Sequence, residues 1–434
     1  MKKYIFLAVS ALTLASCSSD DFLGDTPGNN PSYAQKAISF GGTTGKISRA
    51  TTQEGAAAAN TLGNNFIVFG TKTKDDQIHT IYNYYNVNWK TPKEATEGAW
   101  VYAGETKSAL NDLGGNQSLK YWDYSATGYD FIAFSLAGKS IDKGDGNGEI
   151  KITKITNSSN PTYTLTGKVS DLLSCYIADR ISMTSGYGSP VKFTFHSTGT
   201  KVSVGIYEEI PGYSIKNIKF YESGTSETPS EKLVLYANDN LILASAARGS
   251  LTVSFDRNNN ANTALSEETS STSTKSSTIK FTFNLDTEKQ DHETEETTEK
   301  YLSRTSTNPT PSSTEGVLPC TITGGLNMKV DYTLIATDGS GEEIKVKGAT
   351  VNIPEKYTDW KGNFHYYYKF KITENTNGST GGENAPKGLY PITFAAMVTE
   401  NVTGSQKTET IFNDGTGDTT LEGGTTEEST NGEN

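Results

Sequence analysis

Apolar and polar residues alternate along many short stretches of this chain, and that alternation restricts it to β-sheet. In VKFTFHS (191–197) the apolar residues Val191, Phe193 and Phe195 alternate with polar ones, and KVSVGIY (201–207) repeats the pattern from Val202. Successive side chains of a strand point to opposite faces, so each such strand packs one face and exposes the other. Only EGAAAANTL (54–62) suggests a short helix or loop. The sequence therefore predicts an all-β fold of antiparallel sandwiches.

Length and composition favour two such sandwiches with long polar loops. The chain has 434 residues, more than one ordinary core holds, and its 42 glycines suit many turns. Low-complexity stretches rich in Asn, Ser, Thr, Gly or Glu cover 257–277, 286–316 and 405–434. Such stretches cannot bury enough apolar surface to order themselves, and we expect surface loops or disorder there.

The N-terminus has the pattern of a bacterial lipoprotein signal. Lys2 and Lys3 precede an apolar run, Tyr4 to Leu14, that is too short to span a bilayer as a helix. Leu14-Ala15-Ser16-Cys17 resembles a lipobox, whose peptidase cuts before an acylated cysteine; the alternative is an ordinary secretory signal. Acyl chains such as palmitate on Cys17 would anchor the protein stably.

The residues after that cysteine indicate the side of the membrane. Ser18-Ser19-Asp20-Asp21 resembles the surface-export signal of Bacteroidetes lipoproteins, although a solvated linker is the simpler alternative. We therefore predict a protein anchored by lipid in the outer membrane and displayed on the cell surface. The predicted divisions are a signal peptide over 1–16, a lipidated linker over 17–36, sandwich domains over 37–210 and 211–400, and a low-complexity tail over 401–434.

Net charge argues against nucleic acid as a partner. The formal charge is -12, and it becomes -14 when Lys2 and Lys3 leave with the signal peptide. A nucleic-acid duplex or an anionic bilayer would be repelled by that field.

The sequence shows no constellation typical of an enzyme, a metal centre or a cofactor site. The four histidines are dispersed, and we expect His196 and His365 on wet faces or sheet edges. Cys175 and Cys320 lie among apolar residues, which favours free buried thiols, although a disulfide stays possible outside the cell. We therefore predict no enzyme, no catalytic or metal-binding residue and no cofactor.

One loop has part of a calcium-binding pattern. In DKGDGNGE (142–149), Asp145, Asn147 and Glu149 alternate, but Ile150 stands where the sixth-position glycine is expected and the distal glutamate is missing. Turn chemistry explains this loop better.

Aromatic residues allow two interpretations. NWK (88–90), YWDY (121–124) and YTDWKGNFHYYYKF (357–370) could supply stacking platforms for sugars. In the last segment the aromatic residues alternate from Tyr366, which favours packing in a core.

Three segments resemble the fimbrillin superfamily of Bacteroidetes. ATVNIPEKYTDWKGNFHYYYKFKIT (349–373) is similar to the signature of its C-terminal domain, and YWDYSATGYDFIAFS (121–135) and VKFTFHSTGTKVSVGIY (191–207) are similar to segments of its N-terminal domain. One departure is Leu136, near the place of an expected proline. The matching positions of the first segment are Ala349, Ile353, Pro354, Tyr357, Trp360, Asn363, Tyr366 and Tyr368.

The resemblance implies a structural role as a fimbrial subunit or anchor built from two transthyretin-like sandwiches. In that family an Arg-directed protease removes the N-terminal segment with the first strand, and a strand of a neighbouring subunit fills the groove. Arg49-Ala50, after AISFGGTTGKIS (37–48), fits such a maturation site, although an ordinary loop arginine is the alternative. The implied partners are other fimbrial subunits, the outer membrane through the lipid, and a host or bacterial receptor.

The C-terminal sequence differs from the one expected of a polymerising subunit, which would end in an alternating strand. Its hydrophilic end has almost no apolar side chains that could fill a groove, and QKTETIF (406–412) is the only β-like segment of the sequence beyond residue 400. The alternative function is a surface adhesin or glycan-binding protein that does not polymerise.

Overall fold

The chain folds almost entirely into β-strands, which confirms the predicted class. The computed structural model describes residues 38–44, 55–90, 98–101, 117, 120–142, 146–155, 160–237, 242–243, 248–255, 261–266, 275–276, 278–282, 301–380 and 392–400. The helical elements are short: α1 (Gly55–Thr61), α2 (Val169–Leu172) and a 3-10 turn (Glu355–Tyr357). In the described part of the chain no helix is both long and apolar enough to cross a bilayer.

The strands follow one another closely along the chain. They are β1 (Phe40–Thr44), β2 (Asn65–Lys74), β3 (Gln77–Lys90), β4 (Ala99–Val101), β5 (Gly128–Ser135), β6 (Ile141–Asp142), β7 (Ile150–Lys154), β8 (Thr162–Lys168), β9 (Tyr176–Ala178), β10 (Ile181–Met183), β11 (Val191–Ser197), β12 (Thr200–Glu209), β13 (Tyr213–Tyr221), β14 (Pro229–Ser230), β15 (Leu233–Tyr236), β16 (Ile242–Leu243), β17 (Arg248–Phe255), β18 (Ala261–Ser266), β19 (Lys275–Ser276), β20 (Thr278–Phe281), β21 (Thr310–Pro311), β22 (Glu315–Val317), β23 (Cys320–Thr321), β24 (Leu326–Ala336), β25 (Glu343–Ile353), β26 (Asp359–Trp360), β27 (Phe364–Thr373) and β28 (Thr393–Glu400).

Four sheets carry the fold. Sheet A runs β1-β11-β9-β5-β2-β3-β4 with β10 beside β5, and sheet B runs β18-β17-β8-β7-β6. Sheet C runs β21-β12-β27-β28 with β22 beside β12, and sheet D runs β14-β13-β24-β15-β20 with β25 beside β24. Two small pairs, β16-β19 and β23-β26, complete the described strands.

The buried apolar residues form three cores. Sheets A and B share one core, with Phe134 from sheet A and Leu165 from sheet B. The opposite face of sheet A carries a second core rich in aromatic rings, which includes Phe131 and Trp122. Sheets C and D enclose the third, to which Tyr368 belongs. The central strands β2 and β5 of sheet A are therefore packed on both faces.

Pairing crosses residue 210 in both directions. Strand β12 lies before that point in the sequence, but it pairs along its length with β27, for example Val202 with Tyr366. Strand β17 lies after it and pairs with β8, for example Leu251 with Leu165. The division of the chain at residue 211 stays a prediction; the sheets themselves are assembled from both sides of it.

Strand β11 behaves as its alternation predicts, but β12 does not. Val191, Phe193 and Phe195 of β11 are buried. The prediction of a wet face on β12 is wrong, because Ser203 and Tyr207 on its second face are buried as well. The short-helix alternative for 54–62 is confirmed by α1.

Candidate functional site: the β1 edge of sheet A

Strand β1 is an edge strand that runs parallel to its neighbour. Phe40 to Thr44 pair with β11 from Val191 to Phe195, and the Val191 amide donates to the Ser39 carbonyl at 2.9 Å. Among the described strands, β11 is the one partner of β1. A five-residue parallel ladder on one side holds a strand less firmly than pairing on both sides.

Two side chains of this segment insert into the aromatic core of sheet A. Ile38 is 1% exposed and Phe40 is 5% exposed. The Phe40 ring centroid lies 5.2 Å from that of Tyr82, and 6.1 Å from those of Phe131 and Phe193. Each buried side chain of this size contributes about 1.5–3 kcal/mol. Together they fill a slot whose walls are aromatic rings.

The predicted processing residues lie outside the described residues, as does the lipidation residue Cys17. Their order in the sequence still relates them to the slot. Strand β1 ends at Thr44 and α1 begins at Gly55, so the Arg49–Ala50 bond lies between these two elements. A cut at that bond would leave β1 held by noncovalent contacts, among them its pairing with β11, its two buried side chains and the bond from the Ile38 amide to the Lys120 carbonyl at 2.8 Å.

The signature residues of 349–373 form a buried hydrogen-bond chain. Trp360 Nε1 donates to Tyr368 Oη at 2.8 Å, and Tyr368 Oη donates to the Tyr357 carbonyl at 2.6 Å. Tyr366 Oη donates to the Asp359 carbonyl at 3.0 Å. Burial raises the pKa of Tyr366 to about 12, so its hydroxyl stays a donor. These aromatic residues pack in the core between sheets C and D, as the alternation predicts.

Asn363 of the same signature joins sheet C to the end of β11. Its backbone amide donates to the Gly199 carbonyl at 2.9 Å, and its Oδ1 accepts from the Ser197 amide at 3.3 Å. Its Nδ2 lies 3.4 Å from His196 Nδ1, and His196 Nε2 lies 3.0 Å from Asp179 Oδ2. His196 is half-buried in this junction.

The contact between Ser203 and His365 was not predicted, because the two residues are 162 positions apart in the sequence. Ser203 Oγ lies 2.7 Å from His365 Nε2, which ties β12 to β27. Burial lowers the pKa of His365, with a smaller effect of Lys201, so the imidazole is neutral and suited to a hydrogen bond with a hydroxyl. This contact explains why His365 lies in the sheet rather than on a wet face.

Asp145 lies outside the described residues, and the other candidate residues have structural rather than chemical roles. Cys175 is buried and Cys320 half-buried, and both are free thiols. Asp142 Oδ1 accepts from the Gly146 amide at 3.1 Å, and Glu149 Oε2 accepts from the Ser140 amide at 2.9 Å, as turn chemistry requires. Within the described ranges no three His, Cys, Asp or Glu side chains group as metal ligands.

Two aromatic residues of YWDY are exposed. Tyr121 is 45% exposed and Tyr124 is 49% exposed, while Trp122 between them is 1% exposed. Asp123 pairs with Lys72 at 2.7 Å, and that contact holds its pKa below the usual range.

Comparisons with known proteins give one match in sequence and several in structure. Residues 1–18 match the prokaryotic membrane lipoprotein lipid attachment site. No curated protein matches the chain. A fimbrial protein from Bacteroides vulgatus is 13% identical, with a TM-score of 0.45 over 80% of this chain and 99% of that one.

Two further solved structures are similar over a comparable share of the chain. A candidate cell adhesion protein from Bacteroides uniformis is 12% identical, with a TM-score of 0.35 over 86% of this chain and 100% of that one. Another, from Bacteroides ovatus, is 12% identical, with a TM-score of 0.37 over the same shares. The N-terminus of the chain thus matches a lipoprotein attachment site, and its structural neighbours are fimbrial and candidate cell adhesion proteins.

Proposed function

We propose that the chain is a lipid-anchored surface protein that serves as a structural fimbrial subunit and assembles by exchange of its first strand. The observation that carries this proposal is the position of Ile38 and Phe40. Both are buried in the aromatic core, yet both precede the Arg49–Ala50 bond. The lipoprotein match over residues 1–18 supports delivery to a membrane through acylated Cys17.

Release of β1 would create a site with the chemistry that strand addition needs. The β11 backbone between Val191 and Phe195 would lose its pairing with β1, and the aromatic slot would lose Ile38 and Phe40. An incoming strand with apolar residues at alternate positions would restore both the ladder and the packing. Its backbone would supply affinity, and its alternate side chains would set the register.

The test is substitution of the processing residue. We expect Arg49→Ala to leave residues 17–49 on the surface-exposed protein and to abolish ladders on gels. Lys46→Ala, three residues upstream, is the control and should be processed normally. Intact mass and N-terminal sequencing of protein released from whole cells give the measurement. An unchanged mature mass and unchanged ladders in Arg49→Ala would refute proteolytic activation.

A second candidate function, adhesion to glycans without polymerisation, rests on Tyr121 and Tyr124. Exposed aromatic faces stack on sugar rings, and these two lie in one four-residue segment. If this function is correct, Tyr121→Ala together with Tyr124→Ala should reduce binding to a glycan array while the mature mass stays the same. Array binding equal to that of the unaltered chain would rule it out.

A further inference from the structure

The space between sheets A and B becomes polar at one end. On β2 the positions that face sheet B are Ile67 and Phe69 in the core, followed by Thr71 and Thr73 beyond it. On β7 the positions that face sheet A are Ile150 and Ile152, followed by Lys154. Both sheets thus change from apolar to polar inward-facing residues at the same end of the sandwich.

A cleft of about 330 Å³ occupies this end. That volume lies at the lower end of the range for sites that bind small molecules. Phe69, Ile132 and Tyr163 supply its apolar lining, and Thr71 and Thr80, which are cross-strand partners, supply hydroxyl groups.

The charged residues of the cleft differ in how many partners they have among the described residues. Arg180 Nη2 donates to Asp130 Oδ1 at 2.8 Å and its Nη1 donates to the Phe255 carbonyl at 3.3 Å, so the guanidinium is held in place. Ser182 also donates to Asp130 Oδ1, while no donor among the described residues reaches Asp130 Oδ2. No described residue pairs with the Lys154 amine, and burial lowers the pKa of Lys154.

These groups define the ligand by its chemistry. Because Arg180 and Asp130 neutralise each other, the cleft keeps the positive charge of Lys154 in a chain whose net charge is -12. A carboxylate would pair with that amine, and hydroxyl groups would pair with Asp130 Oδ2 and the threonines. An acidic peptide offers carboxylates but no comparable set of hydroxyl donors, whereas a uronic acid offers both.

We propose that this cleft binds an acidic saccharide, with the carboxylate of a uronic acid residue on Lys154 and its hydroxyl groups on Asp130 and Thr71. The ring lies against the apolar lining near Tyr163. The site goes beyond the proposed structural role and does not involve β1, the Arg49–Ala50 bond or the Tyr121 and Tyr124 surface.

Calorimetric titration of the full chain with trigalacturonate tests the proposal. We expect saturable binding that Lys154→Met weakens at least about tenfold, the loss expected for one charged hydrogen bond. Lys151→Met is the matched control, because Lys151 is an exposed lysine of the same strand, and it should change the affinity less than about twofold. Neutral maltotriose should bind the unaltered chain about as weakly as trigalacturonate binds Lys154→Met.

Several results would overturn the proposal. They are absence of saturable binding of trigalacturonate, equal affinity of the unaltered chain and Lys154→Met, and tighter binding of a triglutamate peptide than of trigalacturonate. Thermal unfolding shows whether Lys154→Met is folded; if it is not, Thr71→Val decides, and unchanged affinity in that variant contradicts the site. Processing at Arg49 is measured separately, so failure of either proposal is distinguishable from failure of the other.

Discussion

At the scale of single residues, tyrosine hydroxyl groups form hydrogen bonds between strands whose relative position apolar packing alone does not determine. Tyr84 Oη, on β3 of sheet A, donates to the Ile152 carbonyl of sheet B at 2.5 Å. Tyr221 Oη donates to Asp331 Oδ2 at 2.7 Å. The ring supplies apolar contact area and the hydroxyl supplies direction, and the chain contains 23 tyrosines.

Tyr368 gives the sharpest test of this role. Tyr368→Phe removes the buried hydroxyl that accepts from Trp360 Nε1 and donates to the Tyr357 carbonyl, so we expect the free energy of unfolding to fall by about 1–3 kcal/mol. Tyr213→Phe is the control, because the Tyr213 hydroxyl bonds Glu342 at the surface, and it should change stability by less than about 0.5 kcal/mol. Urea denaturation compares the variants, and equal losses would contradict the role of Tyr368.

Glu208 should make stability depend on pH. It is fully buried on β12, and desolvation raises its pKa to about 7 from 4.5, although the Ile210 amide and Arg304 oppose the shift. The folded state therefore favours the protonated acid. Its contribution to stability is complete below pH 4.5 and is lost as the pH rises through about 7, by about 3 kcal/mol in all.

The variant Glu208→Gln isolates this effect. It keeps an acceptor for the Ile210 amide, which donates to Glu208 Oε2 at 2.8 Å, and it does not titrate. We expect the free energy of unfolding of the variant, minus that of the unaltered chain, to increase from pH 5 to pH 8. Taking the difference removes the opposite effect of His365, whose lowered pKa reduces stability at acid pH. A difference that is constant with pH would refute the assignment.

At the scale of elements, β1 combines a weak ladder with strong side-chain packing. It pairs on one side through five residues, yet Phe40 contacts rings from three other strands. Packing rather than hydrogen bonding should therefore decide how long β1 stays bound after a cut at Arg49.

Phe40→Ala measures that contribution. Truncation of a buried phenylalanine costs about 3–5 kcal/mol, which corresponds to a loss of more than about 100-fold in the affinity of β1 for its slot. After cleavage with an Arg-specific protease, size-exclusion chromatography should show the N-terminal fragment lost from Phe40→Ala and retained by the control Ser39→Ala. Equal retention in both variants would mean that the slot does not hold β1.

The strand positions were predictable, but their neighbours were not. The alternation in VKFTFHS matches β11 because one face of that strand is packed throughout. The same pattern predicts an exposed second face on β12. Ser203 on that face is instead buried, and it forms a hydrogen bond with His365, a residue 162 positions away. Alternation records which residues share a face; it does not record whether a second layer covers the other face.

The candidate site was predictable to a similar degree. The resemblance to fimbrillins led to the prediction at Arg49 and to the signature around Trp360, whereas the cleft of Lys154 depends on where two sheets end relative to each other. In the sequence IKITK, Lys154 is simply the fifth residue of an alternating strand, on the same face as Ile150 and Ile152. Only the packing of β7 against β2 and β5 makes it an inward-facing cation.

At the scale of the whole molecule, Asn363 links the part of the chain built on sheet A to the part built on sheet C. Its φ of 68° lies in the left-handed region, which asparagine and glycine tolerate better than alanine. Asn363→Gly should therefore lose only the side-chain hydrogen bonds, about 1–2 kcal/mol, and Asn363→Ala about 1 kcal/mol more.

Thermal and urea unfolding with two probes test this link. Asn352→Ala is the control, because Asn352 is exposed and its side chain donates to Asn327 Oδ1 at 2.9 Å, away from the junction of Asn363. If Asn363→Gly and Asn363→Ala were both as stable as Asn352→Ala, the link would have no energetic role.

The pairing of β12 with β27 also governs how the chain reaches this structure. Val202 meets Tyr366 only after 164 further residues have left the export machinery, and Leu165 meets Leu251 after 86. Contacts so distant in sequence make folding slow, since the loops that they close must first lose their entropy. Until then, each early strand has an unpaired edge next to apolar side chains. A secreted chain of this topology therefore crosses its membrane with its sheets incomplete, and suppression of premature edge-to-edge pairing becomes a requirement of its biogenesis.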